Sequence, residues 1–193
     1  MSQHDIFMIF IYTFPVYLST LPLREISWKD LTGLNMVARR IFMNEYSRTY
    51  EIRWSDLDAN GHVNYAVYIN AAGDVRYHFF WDHGFPPEKF EKIGMGPVYT
   101  AIHAEFLREV RLGETIKINY AVSGISPQGT RWRVHHDILK ANGKKAVSLD
   151  LEGVVLDMTA RKPTVPTPEL FQLFHLIPRA KDFEVLPEMN RRR

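Results

Sequence analysis

The sequence contains no cysteine. That excludes a disulfide framework, a zinc–thiolate centre and a cysteine nucleophile, and it fits an intracellular location. Charge of one sign is also scarce. A formal net charge of +2 is too small to argue for nucleic acid by itself. Lysine and arginine are missing ahead of the apolar N-terminal run, where a secretory signal would carry them. Only His4 and Asp5 stand there, and no clear small-residue cleavage site follows. No internal repeat is visible. With 46% hydrophobic and 24% charged residues over 193 positions, the chain has the profile of one folded domain with an appended segment.

The N-terminal run itself is unusual. Ile6 to Leu23 reads IFMIFIYTFPVYLSTLPL, eighteen residues without a charge. That is near the lower limit for a membrane span. Pro15 would remove a helical hydrogen bond in its middle. Three readings stand: a membrane anchor, an apolar arm packed on the protein, or sequence upstream of the true start, with Met36 and Met43 as later starts. For an anchor, Arg24, Lys29, Arg39 and Arg40 would keep the main domain in the cytoplasm. The expected organisation is therefore residues 1–45 as an extension, 46–175 as the folded domain and 176–193 as a C-terminal tail. The expected location is cytoplasmic, with membrane association through residues 6–23 as an added reading.

Tyr46 to Trp54 has the β-branched and aromatic content of a strand. Ser55 to Asn64 is a loop rich in turn residues. From Tyr65 the chain reads as a helix ending at Gly84, a favoured residue beyond a helix C-terminus. Apolar groups cover much of its circumference, so other structure should wrap it. Glu88 to Ile93 forms a turn or two of helix. Strands follow at Val98–Leu107, Thr115–Ser126, Arg131–Lys140 and Ala146–Met158, with Asn142-Gly143 and Pro127-Gln128-Gly129 as turns. The prolines of RKPTVPTP end the sheet, and Glu169 to Leu176 suits a small helix. The expected class is α+β: an antiparallel sheet around one long helix.

The motif Asp56-Leu57-Asp58-Ala59-Asn60-Gly61-His62-Val63-Asn64-Tyr65, followed by Tyr68 and Arg76, resembles that of the hotdog-fold acyl-CoA thioesterases of the 4-hydroxybenzoyl-CoA thioesterase type. Phe106 to Glu114 and Arg161-Lys162-Pro163 with Pro166 are similar to later family segments. The resemblance spans about Tyr46 to Leu173. It implies a hotdog fold and hydrolysis of an acyl- or aryl-CoA thioester, with coenzyme A entering only as part of the substrate. Water is the sole co-reactant, so neither a metal nor a redox cofactor is implied. It also implies a homodimer or homotetramer with sites at the subunit interface.

By that resemblance, Asp58 occupies the position of the catalytic carboxylate, as general base or nucleophile. The backbone N–H of Tyr65, at the helix start, is the candidate oxyanion donor. His62 and Asn64 would orient Asp58 or the water, and Asn64 equally suits a helix cap. Gly61 would let backbone pass close to substrate. Tyr68 would line the acyl tunnel, and Thr100 would complete the partner's site. Asp56 is read as a turn or cap residue. His135 and His136 point to opposite strand faces and make no metal pair. Arg131, Arg133, Lys140, Lys144 and Lys145 read mostly as a solvated face, some of them candidates for coenzyme A phosphates. Two rival readings stand beside it: a non-catalytic acyl-CoA-binding or membrane-associated hotdog protein, and an enoyl-thioester hydratase.

One departure stands out. Many relatives carry an acid three positions before Arg76; here that residue is Gly73, and the acid is next door at Asp74. The two positions differ by about 100° around a helix.

Overall fold

The alternating run Ile116, Ile118, Tyr120 and Val122 becomes the buried face of a strand, as its period of two requires. The structure, a computed structural model, describes residues 45–189. The apolar run 6–23, and with it the anchor, arm and start-site readings, lies outside the described residues.

In chain order the elements are β1 (Tyr46–Glu51), a 3-10 turn (Trp54–Asp56), α1 (Tyr65–Asp82), α2 (Pro87–Ile93), β2 (Met95–Phe106), β3 (Thr115–Ile125), β4 (Arg131–Lys140), β5 (Lys145–Asp157), β6 (Lys162–Pro163), α3 (Pro168–Leu176) and β7 (Arg179–Val185). Five strands lie in the order β1-β3-β4-β5-β2, each antiparallel to its neighbour. The expected first strand stops at Glu51, and the chain turns through Trp54–Asp56 instead of extending to Trp54. The segment after residue 176 adds a strand to the sheet. There β7 runs parallel to β3 through Val122, Gly124 and Ile125, beyond the stretch of β3 that β1 occupies. Leu186 then packs against Gly124 so closely that a Cβ there would come within 2.9 Å of it.

The helix α1 buries one stripe: Tyr68, Ala71, Ala72, Val75, Arg76, Phe79 and Phe80. The spacing is that of an amphipathic helix on a sheet. Phe79 has no exposed surface and meets Tyr46 and Tyr120 edge-on at centroid distances of 5.1 and 5.3 Å. Asp82, at the end of α1, accepts hydrogen bonds from the Tyr46 hydroxyl at 2.7 Å and from Arg48 at 2.8 Å, tying the helix to β1. The opposite helix face keeps Tyr77 and Trp81 exposed. Among the described residues the helix is therefore covered on one side only.

Gly153 shows how tightly the inner sheet face is packed. A Cβ at Gly153 on β5 would fall 2.1 Å from the Trp132 ring and 2.3 Å from the Val98 carbonyl oxygen. Only glycine leaves room there for the Trp132 ring. At the other extreme, among the described residues β2 is a sheet edge paired only with β5, and Tyr99, Ile102 and Phe106 along it are exposed.

Candidate active site

The polar loop before α1 is a closed hairpin. Leu57 and Val63 form a bridge, the Asp58 N–H donates to the His62 carbonyl at 2.8 Å, and the Gly61 N–H donates to the Asp58 carbonyl at 3.0 Å. Gly61 turns the loop with φ of +73°, a left-handed conformation that costs other residues energy. A Cβ there would meet nothing within 4 Å, so the turn alone accounts for the glycine. The Val63 N–H donates to the carbonyl of fully buried Val110 at 2.9 Å, fixing the loop to the segment after β2.

The loop holds Asp58 by one oxygen. Its Oδ1 accepts from the Asn60 N–H at 2.8 Å and the His62 N–H at 3.3 Å. Oδ2 accepts neither of these backbone N–H groups. The Asn60 amide is the main cause holding this carboxyl below its ordinary range; slight desolvation opposes it and the His62 amide adds to it. Asp58 is therefore ionised at neutral pH.

Asp56 is buried and faces the other way. It accepts from the Arg53 N–H at 2.8 Å and the Tyr50 hydroxyl at 3.2 Å, and its carbonyl takes the Asn64 N–H at 2.9 Å. These bonds shape the turn, as expected of it. Asn64 caps α1: its Oδ1 accepts the Ala66 N–H at 2.9 Å. The next amide, that of Tyr65, has no partner among the described residues. It sits in the first turn, where N–H groups are free and the helix dipole is positive.

Asp58, His62, Tyr65 and Tyr68 line one open cleft of about 720 Å³, counting its open side. Phe106, Leu107, Arg108 and Glu109 form the other wall. Tyr68 is buried, its ring 6.1 Å from that of Phe106, and burial pushes its hydroxyl pKa up to about 12. The His62 ring turns toward Glu109, with Nε2 2.9 Å from Oε2. His62 meets Asp58 through backbone groups: its N–H donates to Oδ1 and its carbonyl accepts the Asp58 N–H. Glu109 and Arg108 were missed as cleft residues in the sequence. They stood inside the recognised run FLREVRLGE, but no local pattern assigns a residue after a strand to a loop so far away in the chain.

Thr100 is not in this cleft. It lies on β2, and its hydroxyl donates to the Glu152 carbonyl at 3.3 Å. Of the basic residues, Arg133 pairs with Glu152 and Glu184, Lys140 with Glu114 and Lys145 with Asp137. Asp74 is exposed and makes no ion pair with Arg76. The acid beside Gly73 therefore does not replace a group at position 73.

The family model of the thioesterase-like superfamily matches residues 52–174, and the chain belongs to that superfamily. No curated protein matches the sequence. Solved structures share the fold. A Staphylococcus aureus protein characterised in complex with CoA superposes with a TM-score of 0.62 at 18% identity, over 75% of this chain and 89% of that one. A Lactobacillus plantarum protein described as an oleoyl thioesterase gives 0.65 at 21%, over 76% of this chain and 54% of that one. The 1,4-dihydroxy-2-naphthoyl-CoA thioesterase from Synechocystis gives 0.61 at 11%, over 67% and 95%. The architecture is the α+β hotdog fold, a curled antiparallel sheet around a long helix. Among the described residues no helix is long and apolar enough to cross a membrane.

Proposed function

We propose that the protein hydrolyses an acyl- or aryl-CoA thioester in the cleft between the Asp58 loop and the segment after β2. The observation that carries this reading is the pairing, in one cleft, of an ionised carboxylate with one oxygen free of backbone hydrogen bonds and a helix-start amide without a partner among the described residues. Superfamily membership, a neighbour in complex with CoA and a neighbour described as a 1,4-dihydroxy-2-naphthoyl-CoA thioesterase support the substrate class.

The chemistry needs both groups. Asp58 Oδ2 takes a proton from a water whose oxygen attacks the thioester carbon, or Oδ2 attacks that carbon itself. Direct attack expels the thiolate and leaves an anhydride, which water then splits. In either route negative charge develops on the thioester oxygen, and the Tyr65 N–H is the donor for it. Asn64 fixes that amide by capping the helix, and His62 fixes Asp58 through its own amide. Tyr68 and Phe106 offer an apolar wall to the acyl group. No group in this chemistry requires a metal or redox cofactor.

The working unit in this reading is a homodimer or a homotetramer built from it. Both the edge β2, with Tyr99, Ile102 and Phe106 exposed, and the outer face of α1, with Tyr77 and Trp81 exposed, are apolar surfaces that a second copy would cover. Thr100 on β2 would then stand at the partner's site. Release of free coenzyme A thiol from a panel of acyl- and aryl-CoA thioesters, lost in Asp58→Asn, tests the reaction. Retained thioester binding without thiol release from any of them contradicts it.

A further inference from the structure

A side-chain bridge joins the two walls of the cleft. His62 stands on the Asp58 loop and Glu109 on the segment after β2, with His62 Nε2 2.9 Å from Glu109 Oε2. An ionised carboxylate only accepts, so Nε2 carries the proton and donates it to Glu109. Arg111 Nη2 comes within 3.4 Å of the same nitrogen, but a protonated Nε2 has no lone pair in the ring plane to offer it. The arginine serves Glu109 instead: its Nε donates to Oε1 at 3.0 Å. Lys140 Nζ donates to the Glu109 carbonyl at 2.8 Å. Glu109 is thus held from its own wall as well as by His62.

What this bridge restrains follows from the backbone of His62. The Asp58 N–H donates to the His62 carbonyl at 2.8 Å, and the His62 N–H donates back to Asp58 Oδ1 at 3.3 Å. The two residues face each other across the hairpin, so a swing of His62 disturbs the carboxylate. The return bond is long and therefore weak by itself. One residue on, the Val63 N–H donates to the Val110 carbonyl at 2.9 Å. The pairs His62-Val63 and Glu109-Val110 are joined twice, once through backbone and once through side chains. As an ion pair the bridge contributes little to stability, because its side chains are 33% and 50% exposed. Its effect lies in orientation.

We propose that Glu109 is a positioning residue for Asp58: it holds the His62 ring to the opposite wall, and the His62 amide in turn keeps the Asp58 carboxylate at a fixed orientation in the cleft. The proposal rests on the thioesterase reading of that cleft. A reacting group displaced by about 1 Å can lose up to about a hundredfold in rate, so a contact of little worth to stability still matters to turnover.

Two measurements separate this role from the reaction itself. The first is amide hydrogen exchange, followed by NMR on the full chain without substrate. In Glu109→Ala the His62 amide should exchange about tenfold faster than in wild type, with the melting temperature within about 3 °C. The second is thiol release from the acyl- and aryl-CoA panel. In Glu109→Ala kcat should fall about tenfold while KM changes less than about threefold. His62→Ala removes the ring and keeps the amide; it should lose as much kcat, and the double variant no more than either alone. His62→Ala cuts the same contact from the other side, so it carries both measurements if Glu109→Ala does not fold. Wild type that releases no thiol overturns the thioesterase reading, while exchange at His62 still decides whether Glu109 holds the loop. Unchanged His62 exchange in a folded Glu109→Ala, unchanged kcat, or losses that add in the double variant overturns the proposal.

Discussion

Arg76 Nη1 lies 2.8 Å from His136 Nε2, sixty residues away in the chain and out of solvent. Burial first, then the arginine charge, drives the His136 pKa from its ordinary 6.5 down to about 3. The unfolded imidazole takes up a proton near pH 6.5 that the folded one refuses. The stability tied to neutral His136 is therefore full above pH 6.5 and is lost as the pH falls from there toward about 3. His135, on the opposite strand face, acts in the reverse sense. Burial works against its charge, but its bonds to Asp150 and Asp137 outweigh this and raise its pKa, so its contribution is present at low pH and fades as the pH rises. Comparison with His136→Phe separates the two. In urea unfolding, the stability gap between wild type and variant should narrow by up to about 1.4 kcal/mol per pH unit below 6.5.

Removal of the Asn64 side chain leaves the Ala66 N–H without its partner. Asn64→Ala should cost about 1 kcal/mol in denaturant unfolding, whereas Asn64→Asp, which keeps an acceptor oxygen at the helix start, should cost far less.

Gly153 has no room for a methyl group, because the Trp132 ring and the Val98 carbonyl occupy its place. Gly153→Ala should destabilise by roughly 3 kcal/mol, since ring and backbone must both move. For a domain of this size that lowers the melting temperature by roughly 6–12 °C in a thermal scan.

Most of the architecture was legible in the sequence, for reasons that can be located. The period-two run of β3, the Asn142-Gly143 turn and the Asn64 cap before a proline-free stretch are local signals, and the structure shows each of them. The segment around Asp58 was legible as a loop and by its family resemblance; that it closes into a hairpin through the Leu57–Val63 bridge was not. What escaped was set by distance in the chain. Glu109 meets His62 because Val110 receives the Val63 amide, a register that neither segment reveals alone. The strand β7 is short and polar, so its alternation is weak, and it is fixed by pairing with β3. Arg76 looked like a family landmark; that it is buried without a counter-ion follows only from where Tyr99, His136 and Gly73 stand around it.

The central claim is that Asp58 performs thioester chemistry in the cleft it shares with Tyr65. The most direct test follows free thiol release from an acyl- and aryl-CoA panel by wild type and by Asp58→Asn, which changes one oxygen to nitrogen and leaves Oδ1 to hold the Asn60 and His62 amides. The expected result is turnover of at least one thioester by wild type and a loss of about 10²–10⁴-fold in the variant, with its melting temperature nearly unchanged. Equal turnover by a folded Asp58→Asn, or thioester binding by wild type without any thiol release, would contradict the account.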